Sequence, residues 1–241
     1  MDVANLGMHR KIQIPTALIL CGGRGERLKP LTDTTQKCVL PVFGIPFMGY
    51  VIHQIEQMGI KDIILCCGYK GEQVINHFSG YKYSYSHPDF NTGARLKRAL
   101  SIVYSENMIV FNGDSYCNIP HDMLWEIYEQ FVSSGRNLCK LFTHKDNSLL
   151  ASFISNKIDD YYGAGIYFFK KSFLDGFPYI TNLSIEDDLV PDNDCMFIKL
   201  PINIGTIDIG THANLKEVND GRTKFGSILQ NYHTEFTNQT T

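Results

Sequence analysis

The sequence predicts an α/β protein built on a mostly parallel sheet, and three observations carry that prediction. Apolar runs at 16–21, 62–67 and 108–111 have the length and composition of strands buried on both faces. Segments of helical character separate them, the clearest having apolar residues at Met48, Val51, Ile52, Ile55 and Met58. Strands alternating with helices over the first 135 or so residues argue for a sheet covered on both sides.

Taken in order, strand 16–21 opens into a long basic, glycine-containing loop, and 39–42 reads as a brief extended stretch. Phe43-Gly-Ile-Pro46 is a turn, with Pro46 suited to open the helix 48–58 that Gly59 stops. Strand 62–67 ends at Gly68, a short helix covers 70–78, and 81–86 alternates as a strand does. A helix spans 94–104 with Thr92 available as its cap. Strand 108–111 runs into Asn112-Gly113-Asp114, and an amphipathic helix follows at 120–132. Further strands are expected at 137–142, 149–154, 163–169, 195–200 and 203–209. They extend the sheet or add a small antiparallel lid. Ser184–Leu189 reads as a short helix in which Asp187 answers the Ser184 cap, and 211–218 is a closing helix. The expected organisation is a flexible extension at 1–14, one domain at 15–232 and a polar tail at 233–241.

Composition narrows the function. With 44% hydrophobic and 20% charged residues the 241-residue chain reads as ordinary globular protein, and a net charge of −3 gives no reason to expect nucleic acid or an anionic membrane. No apolar run approaches the roughly 18 residues of a bilayer span, and the first 14 residues lack the apolar core of a signal peptide. Seven Cys, an odd number without a Cys-x-x-Cys pair, read as reduced and largely buried thiols of a cytoplasmic protein. None of the eight His pairs with a Cys at zinc-ligand spacing.

The chemistry gathers at strand ends. Gly22, Gly23 and Gly25 free the backbone to wrap closely around a ligand, and Arg24, Arg27, Lys29 and Lys37 add positive charge. A strand that empties into such a loop is a phosphate-binding arrangement. It is not a P-loop, because no Gly-Lys-Ser/Thr triplet occurs. Nor is it a dinucleotide fingerprint, because Leu28 stands where the third glycine belongs. Asp114 and Asp208 each follow an apolar strand. Singly each could cap a turn; together, beside a triphosphate, their oxygens would suit Mg²⁺. Asn91-Thr-Gly-Ala-Arg95, at a helix start, is a second candidate anion contact.

Gly22-Gly-Arg-Gly-Glu-Arg-Leu-Lys-Pro-Leu-Thr32 resembles the Gly-Gly-x-Gly-x-Arg-Leu-x-Pro-Leu-Thr signature of sugar-phosphate nucleotidyltransferases. Gln36-Lys37-Cys-Val-Leu-Pro-Val42, Asn112-Gly-Asp114, Ala164-Gly-Ile-Tyr167, Ser184–Pro191 and Ile207-Asp-Ile-Gly-Thr211 follow in that family's order, so the resemblance covers about residues 15–220. It is greatest to the short heptose- and mannose-1-phosphate guanylyltransferases and short cytidylyltransferases. The resemblance implies a Rossmann-like, three-layer nucleotidyltransferase fold with a small antiparallel extension. It also implies Mg²⁺-dependent joining of a nucleoside triphosphate to a sugar 1-phosphate, giving an NDP-sugar for glycan assembly. Those two substrates are the expected partners, and a homo-oligomer is allowed. Arg27, Lys37 and Asp114 become the implied catalytic residues. Leu20, Gly22, Gly23, Gly25, Arg27, Gly68, His87, Asn91, Thr92 and Gly93 become nucleotide contacts. Asp114, Lys157, Gly163, Glu186 and Asp208 become contacts to the sugar phosphate, with Asp114 and Asp208 holding the metal.

The sequence departs from the family pattern at Gln36, which replaces Pro, at Asn91–Arg95, which replaces Gly-Thr-Ala/Gly-Gly-Ala, and at Gly163, which replaces Asn. These changes spare the phosphate and metal residues and fall on substrate recognition. Two other readings stay open at this point. One is a cytidylyltransferase for a phosphocholine-like acceptor, with Tyr81–Tyr85 and Tyr161-Tyr162 as material for an aromatic box. The other is a silent nucleotide-binding regulatory subunit, against which the retained Arg27, Lys37, Asp114 and Asp208 argue.

Overall fold

The computed structural model of the chain describes residues 13–150, 157–191 and 194–239. In chain order the strands are β1 (Thr16–Leu20), β2 (Pro41–Val42), β3 (Ile45–Pro46), β4 (Ile63–Cys67), β5 (Lys82–Tyr85) and β6 (Asn107–Asn112). There follow β7 (Ser115–Cys117), β8 (Leu138–His144), β9 (Lys157–Ile158), β10 (Tyr161–Lys170), β11 (Cys195–Lys199) and β12 (Thr206–Asp208). The helices are α1 (Leu31–Thr34), α2 (Met48–Gln57), α3 (Gly71–His77), α4 (Thr92–Ala99), α5 (His121–Ser134), α6 (Lys171–Asp175), α7 (His212–Val218) and α8 (Lys224–Gln239).

The three apolar runs lie side by side, because a strand apolar on both faces must be covered on both. In the main sheet the order is β11-β8-β10-β6-β1-β4-β5, with β9 paired to β10. β1 runs parallel to β4 and β6, and β5 continues the parallel set. β10 enters antiparallel between β6 and β8, which is the antiparallel extension the family resemblance implies. Alternate side chains serve opposite cores. Ala17, Ile19, Ile63, Leu65, Ile109 and Phe111 pack with residues of α2, α5, α7 and α8. Leu18, Leu20, Ile64, Cys66, Met108 and Val110 pack with residues of α4 and α6.

This topology fixes where a site can form. The chain leaves β1 towards β4 and β5 on one side and returns to β6 on the other, so a switch point lies between β1 and β6. Leu20 is level with both Cys66 and Asn112, so the loops after β1, β4 and β6 leave from one edge of the sheet.

Several expectations are corrected. Pro46 lies in the β2–β3 hairpin, and Phe47 occupies the N-cap position of α2. Asn91, rather than Thr92, holds the N-cap position of α4; the Thr92 hydroxyl instead accepts from the Ile185 amide at 3.0 Å. At Ser184 the reciprocal bond to its backbone N–H comes from Asp188 at 2.7 Å, not Asp187, and 185–189 is a π-helical turn. The expected strand at 149–154 contributes one bridge, Leu149 to Ile207; 151–154 lie outside the described residues. A helix at 224–239, α8, is absent from the sequence expectation. The expected extension 1–14 is described only at its last two residues; Tyr128 donates to the Gln13 carbonyl at 2.9 Å.

Candidate active site

The loop after β1 is shaped by its glycines and held from below. Gly25 takes φ 65°, left-handed backbone that suits glycine, and starts the short turn Glu26–Leu28. Thr32 donates to its carbonyl at 3.0 Å. Gln36, fully buried, spans the loop from behind: its amide nitrogen donates to the Cys21 carbonyl at 2.7 Å, and its amide oxygen accepts from the Cys38 N–H at 2.5 Å. The departure from Pro at 36 thus has a structural use, tying the glycine loop to the turn that carries Lys37.

Lys37 and Asp114 meet as a salt bridge, with side chains 14% and 20% exposed. Asp208 joins them because β12 pairs with β7, Asp208 level with Ser115, and because the Ile209 amide donates to the Asp114 carbonyl at 3.2 Å. Two carboxylates 94 positions apart in sequence therefore share one edge. Burial pulls the Lys37 ammonium down, but Asp114 and Asp208 together outweigh it and hold its pKa above the ordinary lysine value. Burial opposes ionisation of Asp114, yet Lys37 keeps its carboxyl below the usual range. Asp208 is pushed up to about 6, by burial first and then by the Asp114 charge, with Lys37 and Arg27 opposing. Arg27 is exposed, close enough for Asp208 to feel its charge.

The donor set suits a hard divalent cation. Asp114 and Asp208 offer carboxylate oxygens, one lysine is too little charge for two carboxylates, and the crowding of negative charge that pushes Asp208 up to about 6 is what a bound cation would relieve. Among the described residues no third His, Cys, Asp or Glu joins such a group, so phosphate and water would complete the shell.

Beside this edge lies a pocket of about 470 Å³ lined by Leu20, Gly22, Gly23, Arg24, Lys37, Cys38, Pro88–Thr92, Arg95, Asn112 and Asp114. It brings together five of the ten expected nucleotide contacts, Leu20, Gly22, Gly23, Asn91 and Thr92. Gly68, at the end of β4, lies behind it against the Arg95 guanidinium. His87 is exposed, 3.4 Å from Asp89. Gly93 serves packing: a Cβ there would meet the Leu183 carbonyl oxygen at 3.0 Å.

The remaining expected contacts fall elsewhere. Glu186 ion-pairs with Lys140 of β8 and accepts from the Tyr167 hydroxyl at 2.5 Å. Lys140, 2% exposed, is a residue that reading the sequence missed. Burial lowers its pKa despite Glu186. Lys157 is exposed on β9, with Asp160 as an electrostatic neighbour, away from the pocket lining. Gly163 pairs with Phe142 just before the register shift of β10, where Gly165, at φ 74°, comes against the Asn112 side chain. The tyrosines proposed for an aromatic box do not assemble at the pocket. Tyr81 donates to Glu56 at 2.8 Å, Tyr83 and Tyr85 are exposed, and Phe90 is the aromatic residue in the lining. No helix among the described residues is long and apolar enough to cross a membrane.

A glycine loop and two strand-end carboxylates at the switch point of such a sheet define a nucleotidyltransferase architecture. Residues 16–149, more than half of the chain, match the family model described as nucleotidyl transferase, and the chain belongs to that family. The D-glycero-alpha-D-manno-heptose 1-phosphate guanylyltransferase of Aneurinibacillus thermoaerophilus is 31% identical over 128 residues, covering 51% of this chain and 54% of that protein. The mannose-1-phosphate guanylyltransferase of Mycobacterium tuberculosis is 28% identical over 204 residues, covering 74% and 56%. The chain thus spans about half the length of the curated relatives it matches. The crystal structure of HddC from Yersinia pseudotuberculosis complexed with GMP-PN superposes with a TM-score of 0.67 at 22% identity, over 86% of this chain and 98% of that one, a likeness of fold.

Proposed function

We propose that this chain is a sugar-1-phosphate nucleotidyltransferase: NTP + sugar 1-phosphate → NDP-sugar + pyrophosphate, supplying an activated sugar for glycan assembly. The observation that carries the reading is the convergence of the glycine loop, the Lys37–Asp114 pair and Asp208 beside one pocket.

An oxygen of the sugar phosphate attacks the α-phosphorus, the bond from that phosphorus to the β-bridging oxygen breaks, and pyrophosphate leaves with the electron pair. The nucleophile is already an anion, so no side chain need take a proton. What the protein supplies is position and charge. The glycine-loop amides and Arg27 hold the leaving phosphates, and Lys37 swings from Asp114 to the α-phosphate. Mg²⁺ held by Asp114 and Asp208 would spread the negative charge that builds on the α-phosphate oxygens. Glu186, oriented by Lys140 and Tyr167, accepts from sugar hydroxyls.

The test is pyrophosphate release by the full chain with each common NTP, a panel of sugar 1-phosphates and Mg²⁺. Release that needs both substrates supports the reading. Nucleotide binding without release under any pairing would favour a silent regulatory subunit.

A further inference from the structure

Arg95 is 5% exposed, lines the pocket, and stands where the related family pattern has Ala. Its guanidinium is wedged between the ends of β1 and β4: a Cβ on Gly22 would lie 2.2 Å from Nη1 and one on Gly68 1.8 Å from it. Nη1 donates to the Ser86 hydroxyl at 3.0 Å and Nη2 to the Pro88 carbonyl at 2.9 Å. Those bonds use two of the five N–H groups a guanidinium carries. Among the described residues it forms no salt bridge, and Asp89, which feels its charge, is held by Arg24 at 2.6 Å. A buried cation without a carboxylate is costly unless something else meets it.

The pocket says what that is. Lys37, Asp114 and Arg95 line one pocket, so a nucleotide whose phosphates meet Lys37 has Arg95 in the cavity that must also take its base. Pro88 and Phe90 line the same pocket with apolar surface suited to a base, and Arg95 brings a donor-only edge. A donor-only fork matches two adjacent acceptors, which guanine shows at O6 and N7 and cytosine at O2 and N3. Adenine sets an amine beside its ring acceptors, and uracil sets an N–H between its carbonyls.

We propose that Arg95 is a specificity-determining residue, selecting a nucleotide whose base presents two adjacent acceptors, guanine or cytosine, over adenine and uracil. The proposal rests on the nucleotidyltransferase reading and adds the residue that chooses the nucleotide.

Calorimetric binding of GTP, CTP, ATP and UTP with Mg²⁺ to the full chain tests it, with inorganic tripolyphosphate reporting on the phosphate end. GTP or CTP should bind at least about 10-fold more tightly than ATP and UTP, and which of the two leads names the base. Arg95→Lys keeps the charge but not the fork, so it should reduce the preference to threefold or less while tripolyphosphate still binds. Arg95→Gln provides the same readout should the lysine variant fold poorly. A wild-type preference for ATP or UTP, or a preference unchanged in both variants, overturns the proposal and leaves the transferase reading standing. Failure of every nucleotide and of tripolyphosphate to bind overturns both.

Discussion

Two largely buried lysine–carboxylate pairs sit in this molecule and behave in opposite ways. Lys37 pairs with Asp114 at the switch point, and Lys140 pairs with Glu186 beneath the π-helical turn. At Lys37 two carboxylates face one ammonium, which is held more firmly protonated than a free lysine. At Lys140 one carboxylate faces it, burial wins, and the proton is held less firmly. The first pair carries surplus negative charge, so it is built to receive a further cation. The second is balanced, with a tyrosine hydroxyl completing it, so it is built to hold Glu186 still. Equal residue chemistry yields a binding site in one place and a brace in the other, according to how many carboxylates share the lysine.

The largest effect that would sharpen this contrast belongs to the first pair. Asp114→Ala should lower turnover by about 10³-fold with the melting temperature kept within a few degrees; normal Mg²⁺-dependent release of pyrophosphate would remove Asp114 from the metal site. Next comes the brace. Lys140→Met should destabilise the fold by about 2 kcal/mol in urea titrations, because it strands the Glu186 carboxylate. Lys140→Met combined with Glu186→Gln should recover part of that loss, and a double variant less stable than the single one would break the assignment. The smallest effect concerns protons. Because Asp208 is held up to about 6, it is protonated below that pH and a divalent cation must displace the proton. In nucleotide-free protein, apparent Mg²⁺ affinity should therefore fall about tenfold per unit as pH drops below 6 and be flat above it; a profile flat throughout would mean that Asp208 does not hold the metal.

The same contrast separates what could be read from sequence from what could not. β1, β4 and β6 were legible because strands buried on both faces leave continuous apolar runs. Asp114 and Asp208 were legible because each ends such a run beside glycine. Lys140 left one faint sign, a charge between Cys139 and Leu141 in an apolar stretch, but its partner is 46 residues away and no local pattern joins them. α8 was missed because its apolar residues near the start, Phe225, Ile228 and Leu229, are few and most of the segment is polar; packing of Leu229 on the core supplies what propensity does not. Thr92 looked like a cap because threonine before a helix usually is one, yet the nearby Ile185 amide claims its hydroxyl.

Gln36 shows why such a site cannot be edited one position at a time. Its φ of −66° is one that proline adopts, so the backbone would accept the residue the family pattern carries. Yet proline there would silence the N–H that reaches Gln73 at 2.7 Å and orphan both the Cys21 carbonyl and the Cys38 amide. What looks like the smallest reversion in the chain is therefore a trap for anyone grafting motifs between relatives: glutamine at 36 has recruited its neighbours, and it can be exchanged only together with them.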